Sequence, residues 1–212
     1  MKKRIALLMT ALLCLLAASA LSDYAPVGVN TQERYNINLF LSNFSEQGMT
    51  FYSALRRSDS QLVDFAIFHT WYNRQDRIER GQWGNDNCRM SDQHVAEIAQ
   101  RYFGVVPKDY MPTEIDYRDG YYYWQTTGGS MGMGFACLSH VEELGGGRYG
   151  VYFGCYGEWA YWSADDCDLR PEQAAQKFAD SPVYPGYAVI NTGGGTLADR
   201  STWRLEQYDM LM

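Results

Sequence analysis

The chain reads as an α+β protein. The expected layout is three N-terminal helices packed on a mostly antiparallel sheet, built from two C-terminal hairpins plus one strand, with one short helix between the hairpins. Three observations predict it. Apolar residues recur with a helical period across about 31–104. From about 115 to 211 the pattern changes to aromatic and β-branched stretches punctuated by glycine. Helical and extended segments come in separate runs, which favours an antiparallel sheet over a parallel α/β one.

The stretch "NINLFLSNFSEQGM" (36–49) carries the first helix. Ile37, Phe40, Leu41 and Phe44 stand at i, i+3, i+4 and i+7, one face of a helix. Asn30 or Thr31 can cap its start and Gly48 can stop it. The second helix is predicted over 58–81, with Ser58 or Asp59 as cap and Gly81 as terminator. It carries two stripes: Leu62, Phe65, Ala66, His69 and Tyr72, and then Val63, Ile67 and Trp71. Two stripes mean burial over a wide arc, so this helix should be central. The third helix opens at Ser91, buries Val95, Ile98, Ala99, Tyr102 and Phe103, and ends at Gly104.

The segment from Pro107 to Pro112 then joins the helical part to the sheet part. "DGYYYWQTTGG" (119–129) reads as a strand. Residues 134–159 read as a hairpin about "LGGGR", residues 170–180 as the short helix, and residues 186–211 as the second hairpin. In that last hairpin Ala188, Ile190 and Thr192 alternate with Tyr187, Val189 and Asn191.

The N-terminus has the order of a secretory signal peptide. Lys2, Lys3 and Arg4 precede an apolar run, and Ala18-Ser19-Ala20 offers an A-x-A cleavage site. The expectation is a signal over 1–20 and a single secreted or extracytoplasmic domain over 21–212, with no membrane anchor after cleavage. Cys14 leaves with the leader. Removing three basic residues and no acid leaves 15 Lys and Arg against 25 Asp and Glu, net −10. Such a chain repels phosphate backbones, so nucleic acid is a poor partner.

Four cysteines remain: Cys88, Cys137, Cys155 and Cys167. An oxidising compartment permits disulfides, and four cysteines allow three pairings. A hairpin centred on Gly146 would set Cys137 opposite Cys155, within disulfide reach. That pair is expected, with Cys88 and Cys167 left over. There is no C-x-x-C and no H-E-x-x-H, so neither a metal site nor a cofactor is expected.

Catalytic residues do not assemble from the sequence. His69 lies on the apolar stripe of the second helix and reads as a core histidine; His94 falls in the first turn of the third. In a regular strand Cys137 and His140 would face opposite sides. Glu142 and Glu143 read as the charged rim of a turn. Asp165, Asp166 and Asp168 read as acids favoured at a helix N-terminus. Glu158 has no partner carboxylate, and "GGSMGMG" (128–134) lacks the Lys of a phosphate loop and reads as a hairpin turn.

The stretches "INLFLSNFSEQ", "LVDFAIFHTWYN", "VAEIAQRYFG" and "DGYYYW" resemble an uncharacterised group of exported proteins and extracellular domains of Gram-positive anaerobes. Its specific part is F-L-S-N-F-S-E, and the likeness runs loosely over 35–208. The resemblance implies export and a single domain. It implies no activity and no site residue.

The aromatic content is the unusual feature. Tyr121, Tyr122, Tyr123 and Trp124 are consecutive, and Trp159, Tyr161 and Trp162 follow the main hairpin. Exposed Tyr and Trp can stack on sugars or peptides. The sequence therefore points to a non-catalytic binding or cell-envelope accessory module. Its aromatic ligand surface would hold a glycan, a peptide or an envelope protein. The alternative is an extracellular hydrolase acting on a glycan or peptide polymer.

Overall fold

The computed structural model describes residues 27–108, 115–126, 134–157 and 160–211. The leader, most of "GGSMGMG", Glu158 and Trp159 lie outside the described residues.

The chain is α+β, but the single sheet expected from the sequence is replaced by two antiparallel sheets. Helix α1 (Thr31–Ser45) leads to β1 (Phe51–Ser53), α2 (Asp59–Asn73), β2 (Glu79–Trp83), β3 (Asp86–Ser91) and α3 (Asp92–Phe103). Strands β4 (Asp116–Arg118), β5 (Tyr121–Trp124), β6 (Phe135–Gly145) and β7 (Arg148–Tyr156) follow. Helix α4 (Pro171–Lys177), β8 (Val183–Asn191) and β9 (Arg204–Met210) complete the described chain. The larger sheet has the order β1-β9-β8-β7-β6, the smaller β2-β3-β5-β4.

Three corrections to the expected layout have local causes. The second helix stops at Asn73, not Gly81, because the apolar stripes end at Tyr72 and residues 74–80 are polar but for Ile78. The chain instead turns at Gly84, φ +72°, into the β2–β3 hairpin. The lone "YYYW" strand is half of the β4–β5 hairpin, turned by Asp119 and Gly120, both at positive φ. Three strands thus lie within 31–104, which breaks the helices-then-sheet division.

The third correction concerns the cysteines. The β6–β7 ladder shifts register between Leu138 and His140, so Cys155 pairs with Ala136 and Cys137 with Gly154. One extra residue sends the two side chains to opposite faces. Cys155 packs in the main core and Cys137 in a second cluster with Cys167. All four described cysteines are free thiols and buried.

Helix α2 lies between the two sheets, and its two stripes serve two cores. Leu62 and Phe65 join the core of the five-stranded sheet; Val63, Ala66 and Ile67 join Met90 and Tyr122 under the four-stranded one. Helix α1 has a different task. Its Ile37, Phe40, Leu41 and Phe44 enter the main core, while Tyr35 and Leu39 pack on the second cluster. Between those stripes runs a buried polar one. Asn38 Oδ1 accepts from the Leu138 amide at 2.7 Å, and Ser42 Oγ accepts from the Ala136 amide at 3.0 Å. Asn38 Nδ2 also donates to the Cys167 carbonyl at 2.9 Å. The Val27 amide donates to Val141 at 2.9 Å further along. The outer edge of β6 is therefore closed by side chains of α1 and by the segment before it, instead of by another strand.

Candidate functional site

Among the described residues, the sequence-nominated aromatics do not form one surface. Tyr122 is fully buried in the core of the small sheet, and Trp124 is half-buried, edge-on to Trp71 at 6.5 Å. Tyr121 and Tyr123 face outward on that sheet, but arginines cover them. The Arg89 guanidinium stacks on Tyr121 at 4.2 Å and on Trp83 at 4.6 Å; that of Arg118 stacks on Tyr123 at 3.8 Å. Arg89 is paired with Glu79, and Arg118 with Asp86 and Asp116. The rings' faces are already used within the chain, and Tyr123 is only 5% exposed. Trp162 packs elsewhere, against Phe135 at 5.6 Å, and Tyr161 is 74% exposed.

A different surface presents aromatic rings. Val151, Phe153, Ala188, Ile190 and Tyr208 point from the five-stranded sheet into the main core. Alternation then sends Gly150, Tyr152, Tyr187, Val189, Gln207 and Asp209 to the other side. At one end of that side, Phe135, Cys137 and Tyr156 are covered by the segment bearing α4. The rest carries one row straight across all five strands: His140, Tyr152, Tyr187, Asp209 and Phe51, each paired with the next. His140 is exposed, and Phe51 is 49% exposed at the far end. Five strands span about 19 Å.

The centre of this row is organised. The Tyr152 and Tyr187 rings lie 4.9 Å apart at 57°. The Tyr152 hydroxyl donates to Glu142 Oε1 at 3.4 Å. Gly150 provides the floor: a Cβ there would stand 2.7 Å from both Glu142 Oε1 and the Tyr187 hydroxyl. Both phenols thus converge on one carboxylate above a residue with no side chain. Burial, then the nearby Glu142 charge, pushes the Tyr187 hydroxyl up to about 12. It therefore stays a protonated donor at neutral pH. The sequence places Glu142 on the rim of a turn. Its alternation with His140, and the tyrosines opposite, were the missed signal.

A second cluster joins a histidine to a carboxylate, and it is closed. Asn73 Nδ2 donates to Glu46 Oε1 at 2.6 Å and lies 3.2 Å from His69 Nδ1. Burial raises the Glu46 carboxyl to about 7 and lowers the His69 imidazole to about 3. Perturbation of this kind marks active sites, but Glu46 is 2% and His69 6% exposed. His69 is stacked flat on Phe65 and edge-on to Tyr102. A cavity of about 430 Å³ between β1 and α2 is lined by Gln47, Phe65 and Phe68 among others, and by neither group. The cluster reads as a satisfied polar joint of α1 and α2.

Among the described residues no group of His, Cys, Asp or Glu is arranged to hold a metal. No described helix is long and apolar enough to cross a membrane. No family model matches the chain, and no curated protein or solved structure is detectably similar to it.

Proposed function

We propose that this chain is an exported, non-catalytic binding module of the cell envelope, and that its ligand surface is the uncovered face of the five-stranded sheet. The leader at 1–20 supports export. The observation that carries the binding reading is the Tyr152–Tyr187–Glu142 group over Gly150, on the part of the face beyond the α4 segment. A ring there offers an apolar face with a polar tip, and the carboxylate accepts hydrogen bonds from a polar ligand. This moves the aromatic surface expected at Tyr121–Trp124 and Trp159–Trp162 to a different pair of rings.

The hydrolase alternative finds its best support in Glu46 and His69, and their burial argues against it. Binding of the purified protein to insoluble envelope polysaccharide tests the proposal. Tyr152→Ala and Tyr187→Ala should each weaken retention, by ~0.5–1.5 kcal/mol per ring lost. Retention unchanged in the double variant would refute it. So would turnover of the polymer that Glu46→Gln abolishes.

A further inference from the structure

Resting on that reading, we infer that the ligand is a glycan bearing free amino groups, laid along the row from His140 to Phe51. Shape argues for a glycan over an extended peptide. A peptide adds to a sheet through a free edge. The β6 edge is closed by Asn38, Ser42 and Val27. The opposite edge, β1, is three residues long, and Gln61 Nε2 already donates to its Phe51 carbonyl at 2.7 Å. What remains is a face, and the tyrosine rings that lean over Gly150 there offer a flat apolar surface to a pyranose.

Charge argues for the amine. Glu142 and Asp209 flank the two tyrosines, and among the described residues neither forms an ion pair; Asp209 has only the Gln207 amide. Among the described residues of this part of the face, Arg148 and Glu206 neutralise each other at 2.7 Å, and His140 stands at the row's end. A uronate or phosphate polymer would meet two uncompensated carboxylates. An ammonium would find those carboxylates and two aromatic rings, the combination that stabilises a desolvated cation. The small sheet shows the same chemistry internally, where Arg89 and Arg118 occupy its rings and carboxylates.

Three oligosaccharides of equal length test this by calorimetry in low salt, in a buffer that keeps glucosamine amines charged: glucosamine, N-acetylglucosamine and galacturonate oligomers. The glucosamine oligomer should bind roughly tenfold tighter than its acetylated counterpart, and the galacturonate oligomer least. Glu142→Gln should erase most of the preference for the free amine, while Tyr187→Ala should weaken both amino sugars alike. Equal binding of acetylated and free forms, or a preference that survives Glu142→Gln and Asp209→Asn together, would overturn the inference and leave the binding surface standing. If no oligomer binds, the inference and the binding reading fall together.

Discussion

Each sheet turns one tyrosine-bearing face outward, and the two faces are finished differently. On the four-stranded sheet, Tyr121 and Tyr123 lie beneath Arg89 and Arg118, whose charges are tied to Glu79, Asp86 and Asp116. On the five-stranded sheet, Tyr152 and Tyr187 are half-buried, pack on each other without a stacked arginine, and address Glu142. The same side chain serves as packing in one place and as presentation in the other. What decides is the supply of cations from neighbouring strands: β3 and β4 bring arginines to the first face. Beside Tyr152 and Tyr187, β6 brings His140 and Glu142. A run of tyrosines is therefore a poor guide to a binding surface.

Four substitutions sharpen or break this contrast. Tyr122→Ala, on the buried side of the small sheet, should cost ~3–5 kcal/mol, the usual loss for a truncated core aromatic. Chemical denaturation measures it, and ligand binding by the folded fraction should not change.

Glu46→Gln contrasts a carboxylate taken out of water with Glu142, which stays at the surface. Glu46 has its folded value raised from 4.5 to about 7, so the native state holds the proton more tightly. Its contribution is intact below the unfolded value and is lost as pH rises through the folded one, by about 3 kcal/mol. His69, lowered from 6.5 to about 3, acts in the opposite sense and favours folding as pH rises across that window. In the parent protein the two slopes offset each other between 4.5 and 6.5. In Glu46→Gln the offset vanishes, so stability should climb with pH there and exceed the parent's above pH 7. Denaturation midpoints across pH give the answer; parallel curves for the two proteins would contradict it.

Gly150→Ala places a methyl among the flexible ends of Glu142 and Tyr187. The expected cost in stability is about 1 kcal/mol, with a disproportionate loss of ligand binding. A loss of stability without a loss of binding would detach Gly150 from the site. Arg118→Ala should have the smallest effect, within ~1 kcal/mol, because the cation–π contact is partly exposed. Binding at the large sheet should be untouched. A variant that gained affinity through the uncovered Tyr123 would show that the arginine lid alone separates the two faces.

Much of the local structure is legible in the sequence. Ser91 does cap α3, its hydroxyl oxygen accepting from the His94 amide, and Gly104 ends the helix at φ +71°. The Gly-rich turn does centre the β6–β7 hairpin. The two stripes of α2 were visible too, but their meaning, two cores rather than one wide one, depends on a second sheet. That sheet was hidden because its strands are three to six residues long and the three that join Tyr121–Trp124 are mostly polar. The Asp119-Gly120 pair was its clearest signal. The disulfide expectation failed on one bulged residue, Ser139, which no spacing rule reveals. The proposed ligand face was obscured because its members, His140, Glu142, Gly150, Tyr152, Tyr187 and Asp209, come from four strands and cluster only once the register is known.

The polar stripe of α1 bears on how the chain reaches its final form. The bonds from Asn38 and Ser42 to β6 close loops of about a hundred residues, so they are expected to form after the local contacts of helices and hairpins. Until they do, β6 has an unpaired row of backbone amides next to an apolar face. Helix α1 is then expected to dock late, and a chain in which it has not docked would leave that edge open to strand-to-strand association between molecules. Refolding yield, more than equilibrium stability, should register damage to Asn38 and Ser42.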